Sequence, residues 1–456
     1  MTTVAWTLLR RGGPARPLLL AGSTAAATGL LLVALTMVLL PEQPDESLFN
    51  LVAEPGLRGG TSFATGLFVL PLLLMLYQVV RLGTATRERR LAALRLAGAT
   101  PREVRALGAV EVGLPVVVGA AAGPLVHWLL QAVFGGQPLD RPSQADGFGA
   151  GYAESGLALV PTSVTLAWWQ TVAVVLAVSA AGVLTGVLGS RHLVTHPLGL
   201  ARRHRRPAPR PWGLLIVGLG LALGVAGFMD VFGLGDPVGM AAVLLVVVGV
   251  VTLAPWVAYR AGQRAARRTG NPATLIAAAR LTSDPRPAGR AAAAVGAVGL
   301  VSGGSAALEA DVFVGSGGRG FDSFFVVSFV LVAVALLLAL LVTTSTLAVH
   351  AVESLVDRRR VLSGLVAAGA PVAVLRDALR REATLTALPL ATGGAVLGAV
   401  VVTVPAGNAM TVASLLVTAG QVALTIALTW LAIRAAVRFL EPWLRSATSP
   451  ANLRTE

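Results

Sequence analysis

The chain has 456 residues, of which 55% are hydrophobic and only 13% are charged, and its mean hydropathy is +0.76. A soluble domain has about 25% charged residues, so this composition excludes an ordinary water-facing surface and predicts a membrane protein. Cysteine is absent and all 36 basic residues are arginines, which excludes disulfides, thiolate metal sites, Schiff-base chemistry and the Walker A lysine of a P-loop ATPase.

Ten apolar segments, each near or above the roughly 20 residues that cross a bilayer, follow one another along the chain. The loops after the even-numbered segments are rich in arginine, whereas the odd-numbered loops are short or acidic. The positive-inside rule then places the arginine-rich loops and both termini in the cytoplasm. The sequence therefore predicts an all-α polytopic membrane protein with about ten transmembrane helices. The segments are 17–40, 62–83, 108–134, 167–190, 212–233, 238–258, 290–310, 323–349, 380–405 and 411–437.

The net charge of +14 would suggest a nucleic-acid partner in a soluble protein. Here the arginines cluster at the ends of apolar segments, so membrane topology accounts for the charge and we predict no nucleic-acid partner. The five histidines show no metal-ligand spacing within one helix, and we predict neither a metal site nor catalytic residues in this chain.

A basic helix-turn-helix pattern occurs twice, at residues 87–105 and 358–376, each time between two long apolar segments. Pairing Gly98 with Gly369 gives an offset of 369 − 98 = 271. Matched arginine, glutamate, glycine and proline residues at one offset indicate a duplicated membrane unit. Without a gap, this offset also pairs Pro14 with Pro285, Arg87 with Arg358, Arg89 with Arg360, Arg105 with Arg376, Glu111 with Glu382 and Gly123 with Gly394.

The duplication predicts the domain organisation. Residues 1–200 form a first four-helix unit, residues 201–265 a basic linker with two extra central helices, residues 266–445 a second four-helix unit, and residues 446–456 a cytoplasmic tail. Because both units start and end on the cytoplasmic side, we expect parallel repeats related by a pseudo-twofold axis along the membrane normal.

The first copy of the pattern predicts a short surface helix, a sharp turn and a helix that leads directly into the third span. Leu91 and Leu94 fall at helical spacing, and Gly98 suits the left-handed residue that ends a helix. Thr100 and Glu103 then form a capping box for the next helix. A push on the short helix would therefore move the third span as a lever.

The second copy of the pattern has weaker local signals. It keeps Gly369, but Pro371 stands where the first copy has its capping threonine, and Ser363 and Gly364 lie inside the short helix. A lost cap and an interior glycine both lower helix stability. The second short helix is therefore predicted to be the less stable of the two.

At these residues the sequence resembles the FtsX-like permease family, which includes the MacB-type and bacitracin-resistance-type ABC permeases. The resemblance rests on the pattern R-x-R-x-L-x-x-L-x-x-x-G-A in both copies and on the preceding Pro-Arg segments at 14–16 and 285–290. It covers most of the chain apart from the fifth and sixth spans, and the four-plus-two-plus-four arrangement is similar to the bacitracin-type members.

The resemblance implies a permease subunit of an ABC transporter in the bacterial cell membrane, which is not itself an enzyme. In the family the short helix docks on a separate ATPase subunit, so we expect an ABC ATPase partner in two copies, with ATP and Mg²⁺ bound there and no cofactor in this chain. By the same resemblance, the ATPase-coupling residues are expected to be Arg87, Arg89, Leu91, Leu94, Gly98, Arg358, Arg360, Leu362, Leu365 and Gly369.

The chain departs from the family in two respects that bear on function. A glutamate usually stands eight residues before the glycine, where this sequence has Arg90 and Val361. The predicted outer loops are also too short for the large extracellular domain of many members, so a lipophilic or amphipathic substrate is expected in the membrane or at its outer face. Export or extraction of that substrate, resistance to or sensing of an antimicrobial peptide, and ion-driven secondary transport remain as alternatives.

The acidic residues in or near the spans bear on the last alternative. Glu111 and Glu382 lie at inner helix ends, where we expect pairing with arginine rather than a proton site. Glu309 and Asp311 lie near an outer helix end and are expected to face water. Because the sequence places no acid at mid-depth, ion-driven transport is the least favoured of the three.

Overall fold

The computed structural model describes residues 15–42, 46–81, 98, 100–138, 158–195, 208–228, 236–315, 323–403, 411–449 and 452. These residues are almost entirely helical. In chain order the helices are α1 (Ala15–Val38), α2 (Asn50–Ala53), α3 (Pro55–Leu67), α4 (Val69–Arg81), α5 (Pro101–Phe134), α6 (Trp168–Thr195), α7 (Trp212–Phe228), α8 (Asp236–Arg268), α9 (Pro272–Ser283), α10 (Pro285–Ala310), α11 (Ser323–Asp357), α12 (Arg359–Ala367), α13 (Val372–Thr403), α14 (Val412–Phe439) and α15 (Glu441–Ala447). A π-helical turn, Asp311–Gly315, follows α10.

The helices confirm the predicted all-α polytopic membrane fold. Eight helical segments of the described residues are long and apolar enough to cross a bilayer, and each overlaps one of the predicted spans. Two shorter apolar helices, Trp168–Leu184 and Trp212–Gly227, coincide with the fourth and fifth predicted spans. The count of ten spans stays a prediction.

The chain divides into two compact units, Met1–Arg202 and Arg203–Glu456. Helices α1 to α6 belong to the first unit and α7 to α15 to the second. In the second unit α8 packs against α7, α9, α10 and α13, so the two extra helices of the sequence are part of that unit's packing. The domain limits drawn from the repeat, at residues 200, 265 and 445, stay a prediction.

A closely packed pair of helices forms the centre of the first unit. Helices α1 and α5 approach so closely that a Cβ atom on Gly123 would overlap the Thr28 side chain, and a Cβ atom on Gly29 would lie 2.7 Å from Val126 Cγ1. Small residues at such crossings let helix backbones meet where no hydrophobic effect drives association.

The second unit repeats this arrangement with α10 and α13. A Cβ atom on Gly394, the counterpart of Gly123, would overlap the carbonyl oxygen of Gly296. Helix α13 begins at Val372 and α5 at Pro101, and 372 − 101 = 271. The repeat seen in the sequence is therefore preserved in the helix boundaries and in the glycine contact between the first and third helices of each unit.

A small cap closes the end of the first unit that lies far from Gly98 along α5. Strand β1 (Glu46–Ser47) pairs antiparallel with strand β2 (Gln137–Pro138). Beside them Arg58 is buried and donates hydrogen bonds to the carbonyl oxygens of Leu40 at 2.6 Å and Val52 at 2.9 Å, and to two further carbonyls. One guanidinium thus satisfies carbonyls at the end of α2, which the helix itself leaves unpaired, and carbonyls of the segment just after α1.

Candidate coupling surface

Helix α12 is the second of the two predicted short surface helices, and it has two distinct faces. Its buried face carries Leu362 and Ser363, which are 2% and 1% exposed. Leu362 packs in a cluster with Leu355 of α11, Leu375 of α13 and Leu444 of α15. Leu362 therefore holds the short helix to its own unit and presents no surface to a partner, although the sequence placed it with Leu365 among the coupling residues.

The opposite face of α12 is apolar and exposed. Val361 is 64% exposed and Leu365 is 37% exposed, and Ala368 is exposed one turn further on. Spacings of four and three residues put these three side chains on one side of the helix. We call Val361, Leu365 and Ala368 the coupling face. The backbone of Arg358 precedes the helix and Arg360 is exposed beside this face, so arginines flank it as the sequence indicated.

The turn after α12 confirms the predicted left-handed glycine. Gly369 has a φ of +94°. Its N–H donates to Val366 O at 2.9 Å, and the N–H of Ala370 donates to Leu365 O at 2.9 Å. These two bonds are those of a Schellman motif. Gly98 has a φ of +98°, so the two glycines of the repeat share one backbone conformation.

The helix after the first turn begins with the predicted capping box. Thr100 Oγ1 accepts from Glu103 N at 3.3 Å, and Thr100 N donates to Glu103 Oε2 at 2.8 Å. The bond from the Thr100 backbone, together with one from its hydroxyl, lowers the pKa of the Glu103 carboxyl. In the second copy Pro371 has no side-chain oxygen for this role, so the predicted difference between the two copies is confirmed for the caps.

The remaining predicted coupling residues of the first copy lie outside the described residues. They are Arg87, Arg89, Leu91 and Leu94. The offset of 271 pairs Leu91 with Leu362 and Leu94 with Leu365. The coupling role of the first-copy residues and of Leu365 stays a prediction.

In each of α5 and α13, the helices that follow the glycine turns, a glutamate in the third helical turn pairs with an arginine of a neighbouring helix. Glu111 of α5 pairs with Arg16 of α1 at 2.8 Å, and the same guanidinium donates to Val79 O and Val80 O near the end of α4. Glu382 of α13 pairs with Arg280 of α9 at 3.2 Å. The expected arginine pairing is thus confirmed for both glutamates, but the partner comes from a different helix in each unit.

Helix α15 is a support of the coupling helix that sequence reasoning missed. Leu444 and Ala447 pack into the cluster around Leu362. The Glu441 carboxylate forms ion pairs with Arg445 at 3.1 Å and with Arg376 of α13 at 3.7 Å. The predicted tail from residue 446 therefore begins with packed residues. The signal in the sequence was the pair Leu444 and Ala447 at helical spacing just after Pro442.

Glu309 was expected to face water and is half-buried instead. Its carboxylate accepts hydrogen bonds from Gln421 of α14 and from Ser305 at 2.9 Å. The hydroxyl oxygens of Ser302 and Thr425 lie 2.6 Å apart and form a second hydrogen bond between the same two helices. The expectation for Glu309 is therefore wrong, because α14 supplies an amide that only the tertiary packing brings near. Asp311 is exposed, as predicted.

Comparison with known families gives a match that falls within the first unit of the chain. Residues 62–198 match the family described as FtsX-like permease C-terminal. The matched range contains Gly98, the capping box and helices α5 and α6. A search of curated proteins gives no match.

Proposed function

We propose that this chain couples ATP hydrolysis by a separate ATPase subunit to movement of an amphipathic substrate. Its residues 62–198 match the FtsX-like permease family, whose members are permease components of ABC transporters. Export or extraction at the outer membrane face is the proposed direction. The proposed setting is the bacterial cell membrane, with both termini and both coupling turns in the cytoplasm.

The observation that carries this proposal is the continuity between a short helix with an exposed apolar face and a membrane helix. The coupling face lies on α12, the glycine turn at 369 follows, and α13 starts at Val372 and runs to Thr403. Helix α13 also forms the closest contact of its unit with α10. A displacement of α12 would therefore move the central helix pair rather than a loose loop.

The ATPase partner is proposed to contact the coupling face directly. Val361 occupies the position where the family usually has a glutamate, so the contact here would be apolar, with Arg359 and Arg360 exposed next to it. Burial of exposed valine and leucine side chains stabilises such a contact. We propose one ATPase per coupling turn, hence two copies, with ATP and Mg²⁺ held in that partner.

The substrate class distinguishes the main proposal from a resistance or sensing role. The predicted four-plus-two-plus-four order of spans favours a bacitracin-type module that releases an antimicrobial peptide from a lipid target, and we keep this as the second candidate. ATPase stimulation by a lipid-bound peptide, but not by free lipids or drugs, would favour the second candidate.

The test uses the full chain expressed with its co-encoded ATPase. We expect the purified chain alone to show no ATP turnover, and the complex to hydrolyse ATP with stimulation by its substrate. Robust ATP hydrolysis by the isolated chain, or transport driven by an ion gradient without the ATPase, would contradict the proposal.

A further inference from the structure

The second unit contains a cavity that the coupling role does not use. It has a volume of about 520 Å³ and lies between α9, α13 and α14. That volume falls within the range of about 300–1,000 Å³ typical of small-ligand sites. The lining residues are Thr274, Arg380, Arg381, Thr384, Leu385, Leu388, Pro389, Trp430, Ile433 and Arg434.

Among the residues that the structure describes, three arginines and no acidic residue line this cavity. Arg381 donates to Thr274 Oγ1 at 2.6 Å, and its Nε is a buried nitrogen without a hydrogen-bond partner among the described residues. Arg434 lies 4.2 Å from the ring centre of Trp430. Of the three arginines, only Arg380 has a carboxylate partner within the described part of the chain, Asp377 at 3.5 Å. The cavity therefore has an unneutralised positive charge and suits an anion.

The cavity changes from charged to apolar along the helices. Arg381 lies nine residues after the start of α13, and Leu388 seven residues further on, which is about 10 Å deeper along the helix. Leu385, Leu388 and Ile433 form the apolar part of the wall. Trp430 is 40% exposed beside Arg434, as tryptophans are at membrane interfaces.

We propose that this cavity binds an anionic phospholipid. The phosphate would lie among Arg380, Arg381 and Arg434, and the upper part of an acyl chain would lie against Leu385 and Leu388. The apolar wall favours a lipid over a free phosphate ion, which would gain nothing from it, and basic pockets between membrane helices are suited to lipid head groups. The inference does not depend on the proposed function, since it needs neither an ATPase nor a substrate.

The test is native mass spectrometry of the full chain in detergent, titrated with phosphatidylglycerol and, separately, with zwitterionic phosphatidylcholine. We expect selective retention of phosphatidylglycerol. The double variant Arg381→Gln, Arg434→Gln should reduce that retention about 10- to 30-fold, because each arginine near a lipid surface contributes a factor of roughly five.

A matched control is available in the same unit. Arg260 lies over Trp256 at 5.4 Å but does not line the cavity, so Arg260→Gln removes an arginine stacked on a tryptophan elsewhere. This control should keep full retention of phosphatidylglycerol. A second variant, Leu388→Trp, keeps every arginine and narrows the apolar part; it should reduce lipid retention while soluble glycerol phosphate binds no less well than to the wild type.

Three outcomes would overturn the proposal. Equal retention of both lipids by the wild type would remove the anionic selectivity, and undiminished retention by the double arginine variant would place the lipid elsewhere. Competition by glycerol phosphate at the concentration of the lipid would identify a site for free phosphate esters. A thermal melt of each variant, compared with that of Arg260→Gln, separates lost binding from lost folding.

Discussion

At the scale of single residues, the coupling helix shows how neighbouring leucines can have opposite roles. Leu362 is buried among α11, α13 and α15, whereas Leu365, three residues later, is partly exposed on the coupling face. Both leucines fit the same helical pattern in the sequence. Only the position of the packed neighbours decides which leucine supports the fold and which can meet a partner.

The first prediction separates these two roles by placing aspartate at each position. Leu362→Asp should destabilise the second unit by more than about 3 kcal/mol, because it buries a carboxylate in an apolar cluster. Leu365→Asp should leave the melting temperature nearly unchanged and reduce copurification of the ATPase. Thermal unfolding and pull-down with the co-expressed ATPase measure the two effects. Equal loss of stability in both variants would contradict the assignment of the coupling face.

The second prediction concerns the two left-handed glycines. At Gly98 and Gly369 a Cβ atom would meet no atom of the described residues within 4 Å. The penalty expected from the backbone is about 1–2 kcal/mol for an ordinary residue in this conformation. Valine at either position should uncouple ATP hydrolysis from transport while the ATPase still binds.

The effect of valine should be worse at Gly98 than at Gly369, because the first turn is followed by a capped helix that resists adjustment. Asparagine, which tolerates the left-handed region, is the control and should retain most activity at both positions. Transport per ATP hydrolysed in proteoliposomes is the measurement. Equal or reversed losses for the two valine variants would show that local helix stability does not set the coupling.

At the scale of elements, the two copies of the helix-turn-helix pattern differ in the helices on either side of the glycine turn. Helix α5 starts with a complete capping box, whereas α13 starts after Pro371 without a side-chain cap. Within α12, Ser363 is buried and donates to Arg359 O at 2.9 Å, so its hydroxyl is satisfied. The remaining weakness of α12 is Gly364, where a Cβ atom would meet no atom of the described residues within 4 Å.

The third prediction follows from that glycine. Gly364→Ala should stabilise α12 by about 1 kcal/mol, since alanine has the higher helix propensity and no described residue occupies the space that its Cβ atom would fill. Slower hydrogen exchange of the α12 amides, by about fivefold, is the expected result. Ala367→Gly is the reverse control and should speed exchange. Unchanged exchange in Gly364→Ala would mean that packing against α13 and α15 alone sets the stability of this helix.

The fourth prediction concerns the pH dependence of the capping box. The folded pKa of Glu103 is lowered by the N–H of Thr100, so the stabilising contribution is present above the unfolded pKa and is lost as the pH falls through the folded pKa. Below about pH 4, amides in the first turn of α5 should therefore lose protection, measured as the exchange rate relative to the intrinsic rate of an unstructured amide at the same pH. In Glu103→Gln the cap should no longer depend on pH. The first turn of α13, without a capping glutamate, is the internal control; the same acid response there would exclude the cap as the cause.

At the scale of the whole molecule, the proposed topology assigns each end of the helices to one side of the membrane. By this proposal, both glycine turns, α12 and α15 face the cytoplasm, and the β1–β2 cap of the first unit faces the outside. The absence of cysteine makes this topology straightforward to test, because one introduced cysteine is the only thiol in the chain.

The fifth prediction uses two exposed serines at opposite ends. Ser163 follows the cap of the first unit and Ser446 lies at the end of α15. A membrane-impermeant maleimide should label Ser163→Cys in intact cells, and Ser446→Cys only after the membrane is permeabilised. The wild-type chain, which contains no cysteine, is the background control. Labelling of Ser446→Cys in intact cells would overturn the cytoplasmic position of the C-terminus, and with it the even number of spans.

The sequence by itself determined the features that depend on composition or on residues close together in the chain. Apolar length gave the membrane helices, and the 271-residue offset gave the two matching helix starts at Pro101 and Val372. The glycine turns and the Thr100–Glu103 cap involve contacts within a few residues, so local propensity was enough to predict them.

Only the tertiary structure decided which side chains meet across long separations. Glu382 takes its arginine from α9, 102 residues earlier, whereas Glu111 takes Arg16 from α1, and the matched sequence offset gave no sign of this difference. The burial of Leu362 and the arginine-lined cavity likewise depend on α15 and α14, whose positions no local pattern specifies. Helical spacing fixes which residues share a face, but the neighbouring helices fix which face is covered.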